Sequence, residues 1–199
     1  MSMFSVHTVE SAPPKAKPAL AASQKTFGFV PNLHAVFAES PALLEGYKKL
    51  SQIFATSSLS PVEQQVVLLA ASYENNCHYC MAAHSAAANM AGLPAEELDT
   101  LRNGAPMPDT RLEALRRFTQ RIVQARGWVE ENDVDAFVQA GYNKQQVLEV
   151  ILGVAIKTMS NYTNHLAHTP LDDAFGAYAW QKPGAADSAP EPASSAHAG

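Results

Sequence analysis

The sequence predicts an all-α fold, with about eight helices packed as a single domain. Three observations carry this expectation. Apolar residues recur at i, i+3, i+4 spacing along most of the chain. Helix start and stop signals bracket those stretches. The β-branched residues fall inside the helix-period segments, so no alternating run reads as a strand.

In chain order, residues 1–26 read as an extended N-terminal arm, rich in Pro and Ala, with "APPKAKP" at 12–18. Residues 27–180 form the helical domain. "FGFVPNL" is a bend in which Pro31 biases Val30 away from helix, and Asn32 is placed to cap a short helix over 33–40. Ser40 and Pro41 start the next helix as N-cap and first helical residue, with Leu43, Leu44, Tyr47, Leu50, Ile53 and Phe54 as its apolar stripe. Ser60, Pro61 and Glu63 repeat the start signal as a capping box. The segment they open, "PVEQQVVLLAASY", is apolar nearly all round and belongs at the centre. Asn76 reads as the N-cap of a helix over 77–91 that stops at Gly92. Further helices are expected over 94–102, 109–126 and 131–140, and a last long one from Lys144 to about Met159. Residues 181–199 read as a disordered Pro/Ala/Ser tail.

Composition narrows the function. The 199-residue chain has a formal net charge of −5 and lacks basic runs and zinc-finger spacing, which argues against nucleic acid as a partner. No apolar run has the length of a membrane span, and the N-terminus lacks a secretory signal pattern. The expectation is a cytoplasmic protein, in which a resting structural disulfide is out of place.

That bears on the two cysteines of the chain, both in "ENNCHYCMAAH" at 74–84. At about 100° per residue, Cys77 and Cys80 lie about 60° apart on a helix, and His84 lies about 40° from Cys80. All three share a face. A helix N-terminus stabilises a thiolate through its unpaired N–H groups and partial positive charge. A thiolate attacks a peroxide oxygen, a second thiol resolves the resulting sulfenic acid, and a histidine is suited to move the proton. The bland alternative is two cysteines in core packing. A zinc site is another: Cys77, Cys80 and His84 with Glu74, His78 or His165 offer ligand types, but no second C-x-x-C exists. Neither a cofactor nor a metal is called for.

The stretch "CHYCMAAH", preceded by "LSPVEQQVVLLAASYENN", resembles the C-x-x-C-x-x-x-H motif of the AhpD-like alkyl hydroperoxidase / carboxymuconolactone decarboxylase family. "FVPNL" and "SPALLEGY" are similar to its peroxidase-related branch, over about residues 27–175. The resemblance implies an AhpD-like helical bundle, a homo-oligomer (trimer or hexamer), and reduction of hydroperoxides with electrons from a dithiol or lipoyl-type protein. By the same resemblance Cys80 is the peroxidatic thiol, Cys77 the resolving one and His84 the relay histidine. The family's relay glutamate, twelve residues before the first cysteine, falls on Gln65, which does not titrate. Glu74 is the candidate substitute. Tyr79, Gln65 and His165 are the candidate substrate-pocket residues. Trp128, Phe37 and Met81 are weighed as an apolar pocket against ordinary packing. Two other functions stay open: a carboxymuconolactone decarboxylase-like enzyme, which leaves the cysteines unexplained, and a non-enzymatic redox sensor or metal-binding oligomer.

A weak internal echo accompanies the motif. "QQVVLLAASYENNCHYC" and "LEVILGVAIKTMSNYTNH" each run from an apolar helix into an Asn-rich stretch, which suggests two alike helices paired in the core.

Overall fold

A computed structural model describes residues 3–184. Among them there are helices and no strands: α1 (Lys17–Phe27), α2 (Asn32–Phe37), α3 (Pro41–Phe54), α4 (Pro61–Glu74), α5 (His78–Met90), α6 (Ala95–Asn103), α7 (Thr110–Gln124), α8 (Glu131–Gln139), α9 (Lys144–Ala167), and a 3₁₀ turn at Asp173–Tyr178. No helix among the described residues is long and apolar enough to cross a membrane. The expected all-α, single-domain bundle is what the chain forms.

The capping chemistry holds where it was strongest. Ser40 accepts from the Leu43 N–H, and Ser60 and Glu63 make both bonds of a capping box. Helix α4 is the central element, with Val66, Val67, Leu69 and Ala71 wholly buried. It packs against α5, α7 and α9. The expected pairing of the two alike helices is seen in α4 and α9. Gly153 makes that contact close: a Cβ there would stand 2.6 Å from the Val67 Cγ1 and 3.0 Å from the Phe54 ring.

Four expectations need correction. The N-terminal segment is not extended throughout, because Lys17–Phe27 is helical; its alanines favour helix and Pro18 sits at the start, where no N–H is needed. Leu20, Ala16 and Ala12 pack with Leu33, Phe37, Leu44 and both cysteines in one apolar cluster. Asn32 lies inside the first turn of α2, and Pro31 holds the N-cap position. Helix α9 does not stop near Met159 but continues to Ala167, since no proline intervenes before Pro170 and its asparagines face the core. Finally, Asn76 does not cap α5. It ends α4 in the left-handed conformation, φ 51°. The Cys77 N–H bonds to the Ser72 carbonyl at 3.0 Å and the Asn76 N–H to that of Tyr73 at 3.1 Å. This is a Schellman closure, with a short polar residue tolerating the left-handed position. The expected C-terminal tail, 181–199, lies outside the described residues from residue 185 onward.

Candidate active site

With α4 closed at Asn76, Cys77 becomes the N-cap of α5 with no intervening loop. Cys80 is then the third residue of the helix, and both sulfurs lie where the α5 N-terminus meets α9. The cysteines are reduced, 1% exposed each, and 3.4 Å apart.

Helix α9 supplies the surroundings. Its buried stripe, Gly153, Ile156, Lys157, Ser160, Asn161, Asn164 and Ala167, turns from apolar to polar halfway along. The Asn164 amide donates to the Cys80 Sγ at 3.3 Å and lies 3.7 Å from the Cys77 Sγ. The Ser160 hydroxyl is 3.8 Å from the Cys80 Sγ. Asn161 accepts from the Asn75 side chain at 2.9 Å, which fastens α9 to the α4–α5 junction.

Lys157 is fully buried. Its Nζ lies 2.7 Å from the His84 Nε2, and the His84 Nδ1 lies 3.0 Å from the Gln65 Oε1. An ammonium only donates, so Nε2 accepts and Nδ1–H donates to Gln65. His84 is therefore neutral. Burial, reinforced by the Lys157 charge, holds its pKa well below the ordinary value.

The two thiols are driven apart. Burial alone would push Cys80 up, but the Cys77 hydrogen bond, the Lys157 charge and bonds from Ser160 and Asn161 outweigh it and bring Cys80 to about 5. Cys77 is pushed up, first by its hydrogen bond to Cys80 and then by burial. The pair thus holds one proton on Cys77 and a thiolate on Cys80. Lys157 is pulled down by burial but raised further by the charge on Cys80, so it keeps its own charge.

The remaining predicted residues bond to groups other than the sulfurs, and Tyr79 shares the sulfurs' apolar cluster. Glu74 accepts from the Gln124 side chain at 2.9 Å and makes no bond to His84. Tyr79 points the other way: its hydroxyl donates to Asp172 at 2.5 Å and accepts from the Leu33 N–H at 3.3 Å. His165 is on the outer face of α9 beside Tyr162. Trp128 is 87% exposed, so it forms no pocket with buried Phe37 and Met81. A cleft of about 550 Å³ opens at the α5 start, bordered by His78, Tyr79, Leu171 and Trp180; neither sulfur lines it. Among the described residues no group of three or more His, Cys, Asp or Glu is arranged to hold a metal.

Lys157, Ser160 and Tyr47 went unremarked in the sequence as site residues. The signal for the first two was present: Lys157, Ser160, Asn161 and Asn164 follow i, i+3, i+4, i+7 on the same stripe as Val150 and Gly153. A lysine and three polar residues in the core register of an apolar helix mark a buried polar site.

Residues 41–131 match the model of the carboxymuconolactone decarboxylase family. That match covers the helices from α3 to the start of α8. The chain has the fold of three solved structures. An alkylhydroperoxidase AhpD core, peroxidase-related protein from Ralstonia eutropha JMP134 is 22% identical with a TM-score of 0.77, covering 87% of this chain and 94% of the other. A peroxidase-related protein from Silicibacter sp. TM1040 is 19% identical, with a TM-score of 0.74 over 87% and 92%. The debrominase Bmp8, as a cysteine-to-alanine variant with 2,3,4-tribromopyrrole, is 15% identical, with a TM-score of 0.72 over 89% and 97%. A search of curated protein sequences finds no significant match.

Proposed function

We propose that this protein is a member of the carboxymuconolactone decarboxylase family and a thiol-dependent peroxidase that reduces organic hydroperoxides through Cys80 and Cys77. The single observation that carries this reading is the asymmetric pair at the α5 N-terminus: two reduced cysteines 3.4 Å apart. Cys80 is held as a thiolate and Cys77 as a thiol. Cys80 attacks the terminal peroxide oxygen, the O–O bond breaks, and Cys80 sulfenic acid and an alkoxide form. Cys77 then attacks the sulfenic sulfur, giving a disulfide and water. The alkoxide takes its proton from the Lys157–His84 pair. A dithiol or lipoyl-type protein returns the cysteines to the reduced state.

The active form is a homo-oligomer, a trimer or hexamer. Its support is an uncharged exposed stripe along α9, in which Leu148 is 67%, Tyr162 54% and Leu166 70% exposed. The working compartment is the cytoplasm, where thiols stay reduced.

The test is peroxide turnover with a dithiol donor. Wild type consumes cumene hydroperoxide and Cys80→Ser does not, while Cys77→Ser stops after one equivalent because its sulfenic acid is not resolved. Full turnover by Cys80→Ser would sink the reading.

A further inference from the structure

We propose that Lys157 is the charge partner and proton donor of Cys80, and that His84 is a positioning residue that aims it. The inference deepens the peroxidase reading and rests on it for the identity of the proton acceptor.

The geometry sets out the division of labour. Lys157 is a fully buried lysine with no carboxylate partner among the described residues. An isolated buried ammonium is among the costliest groups to place in a core. Here its compensation is the Cys80 sulfur, with which it interacts most strongly, and the His84 Nε2 at 2.7 Å. His84 is in turn fixed by Gln65 at 3.0 Å. Gln65 accepts the Nδ1 hydrogen, which leaves Nε2 as an acceptor. The imidazole therefore has no proton facing the sulfurs to give. Its lone pair orients the ammonium instead. A neutral amide at position 65 suits this arrangement. A carboxylate there would favour imidazolium, which would oppose Lys157.

The groups facing the ammonium are few. Helix α5 presents Cys77, Cys80 and His84, and α3 presents Tyr47, whose hydroxyl burial keeps neutral. Helix α4 presents Gln65, and α9 itself adds only uncharged Ser160, Asn161 and Asn164 around the sulfurs. Lys157 is thus the one cation set against the pair among these groups.

Its chemistry balances. The Cys80 thiolate takes the terminal oxygen, with its hydrogen, and the O–O electron pair leaves on the alkoxide. Lys157 gives one proton to the alkoxide, releasing the alcohol, and is left as a neutral amine. That amine takes the proton of Cys77, whose thiolate attacks the sulfenic sulfur, and passes it to the departing hydroxide as water. Reduction of the disulfide by the external dithiol supplies two electrons and two protons. These restore Cys80 thiolate, Cys77 thiol and the Lys157 ammonium.

The decisive experiment follows the thiolate by its ultraviolet absorbance as pH is varied, a readout independent of peroxide. In wild type the Cys80 transition is expected near 5. In Lys157→Met it moves up by roughly 1–3 pH units, and Lys157→Arg restores it, since the guanidinium keeps the charge. In the same variant, above its new transition, the single-turnover oxidation of Cys80 stays at least roughly 100-fold slow because the proton donor is gone. His84→Phe lowers the rate with a smaller change in the transition. A Lys157→Met transition unmoved from wild type overturns the proposal. If that variant does not fold, a wild-type transition near the ordinary 9.0 overturns it instead. Absence of peroxide consumption by wild type, with the transition shifted as expected, would defeat the peroxidase reading and leave the charge pairing standing.

Discussion

Asn164 gives its amide to both sulfurs, at 3.3 Å and 3.7 Å. Its replacement by Asp puts a carboxylate against the Cys80 thiolate. Like charges disfavour one another, so the Cys80 pKa rises, by roughly 1–3 units. The expected outcome for Asn164→Asp is alkylation by iodoacetamide at pH 6 about twofold to a hundredfold slower than wild type, according to the size of the rise. The wild-type rate has the opposite sense: Cys80 titrates at about 5, so reactivity falls as pH drops through that value and is already full at neutrality. A pH profile of alkylation checks both. At this scale the sequence was legible for Cys77, Cys80 and His84, because spacing alone puts them on one helical face. It was not legible for Lys157, whose partner His84 stands 73 residues away and whose role depends on packing between α5 and α9. Glu74 illustrates the reverse: nearness in sequence to Cys77 suggested a role, but Gln124 from α7 holds its carboxylate.

Two helix boundaries position this chemistry. The Schellman closure at Asn76 ends α4 and lets α5 start one residue later, so the α5 N-terminus is aimed at α9 without a flexible loop. Asn76→Gly should be tolerated or mildly stabilising because glycine adopts φ 51° without a Cβ penalty, whereas Asn76→Val should lower the thermal midpoint by an amount equivalent to about 1–2 kcal/mol. Gly153 is the second. A Cβ at 2.6 Å from Val67 must separate α9 from α4, so Gly153→Val should cost about 1–3 kcal/mol or more. Because α9 carries Lys157 and Asn164, the same change should raise the Cys80 pKa, measurable by the same titration. Helix starts read well in the sequence where Ser-Pro and a capping acid coincide, as at Ser60. The end of α9 did not, because asparagines are usual stop signals and here Asn161 and Asn164 are buried hydrogen-bonding groups.

Over the whole molecule, the site is sealed. α1 and α2 pack in the apolar cluster that contains both cysteines, and Asp172 ties the segment from Thr169 to Gln181 to α5 and α2 by accepting from Tyr79 at 2.5 Å and from the Asn32 N–H at 3.0 Å. Asp172→Asn weakens a charge-assisted bond, worth about 1.5–3 kcal/mol; backbone hydrogen exchange at the start of α2 should quicken while α4 is unaffected. Self-association is a further expectation at this scale. Leu148→Glu with Leu166→Glu places charges on the exposed α9 stripe, and sedimentation should then report a smaller species than wild type. The bundle class was readable from periodicity alone, since α4 and α9 carry long apolar runs. How the N-terminal segment covers the cysteines was not: Ala12, Ala16 and Leu20 are spaced four apart, but two of the three are small and Pro13, Pro14 and Pro18 interrupt the run. The claim that joins all three scales is that Cys77 and Cys80 work as one redox pair. It is tested most directly by counting free thiols and mapping disulfides after one equivalent of organic hydroperoxide is added to the reduced protein. Both thiols are expected to disappear together, with one peroxide consumed per chain and a Cys77–Cys80 disulfide within the chain. Persistence of both thiols, or their loss only into bonds between chains, would contradict it.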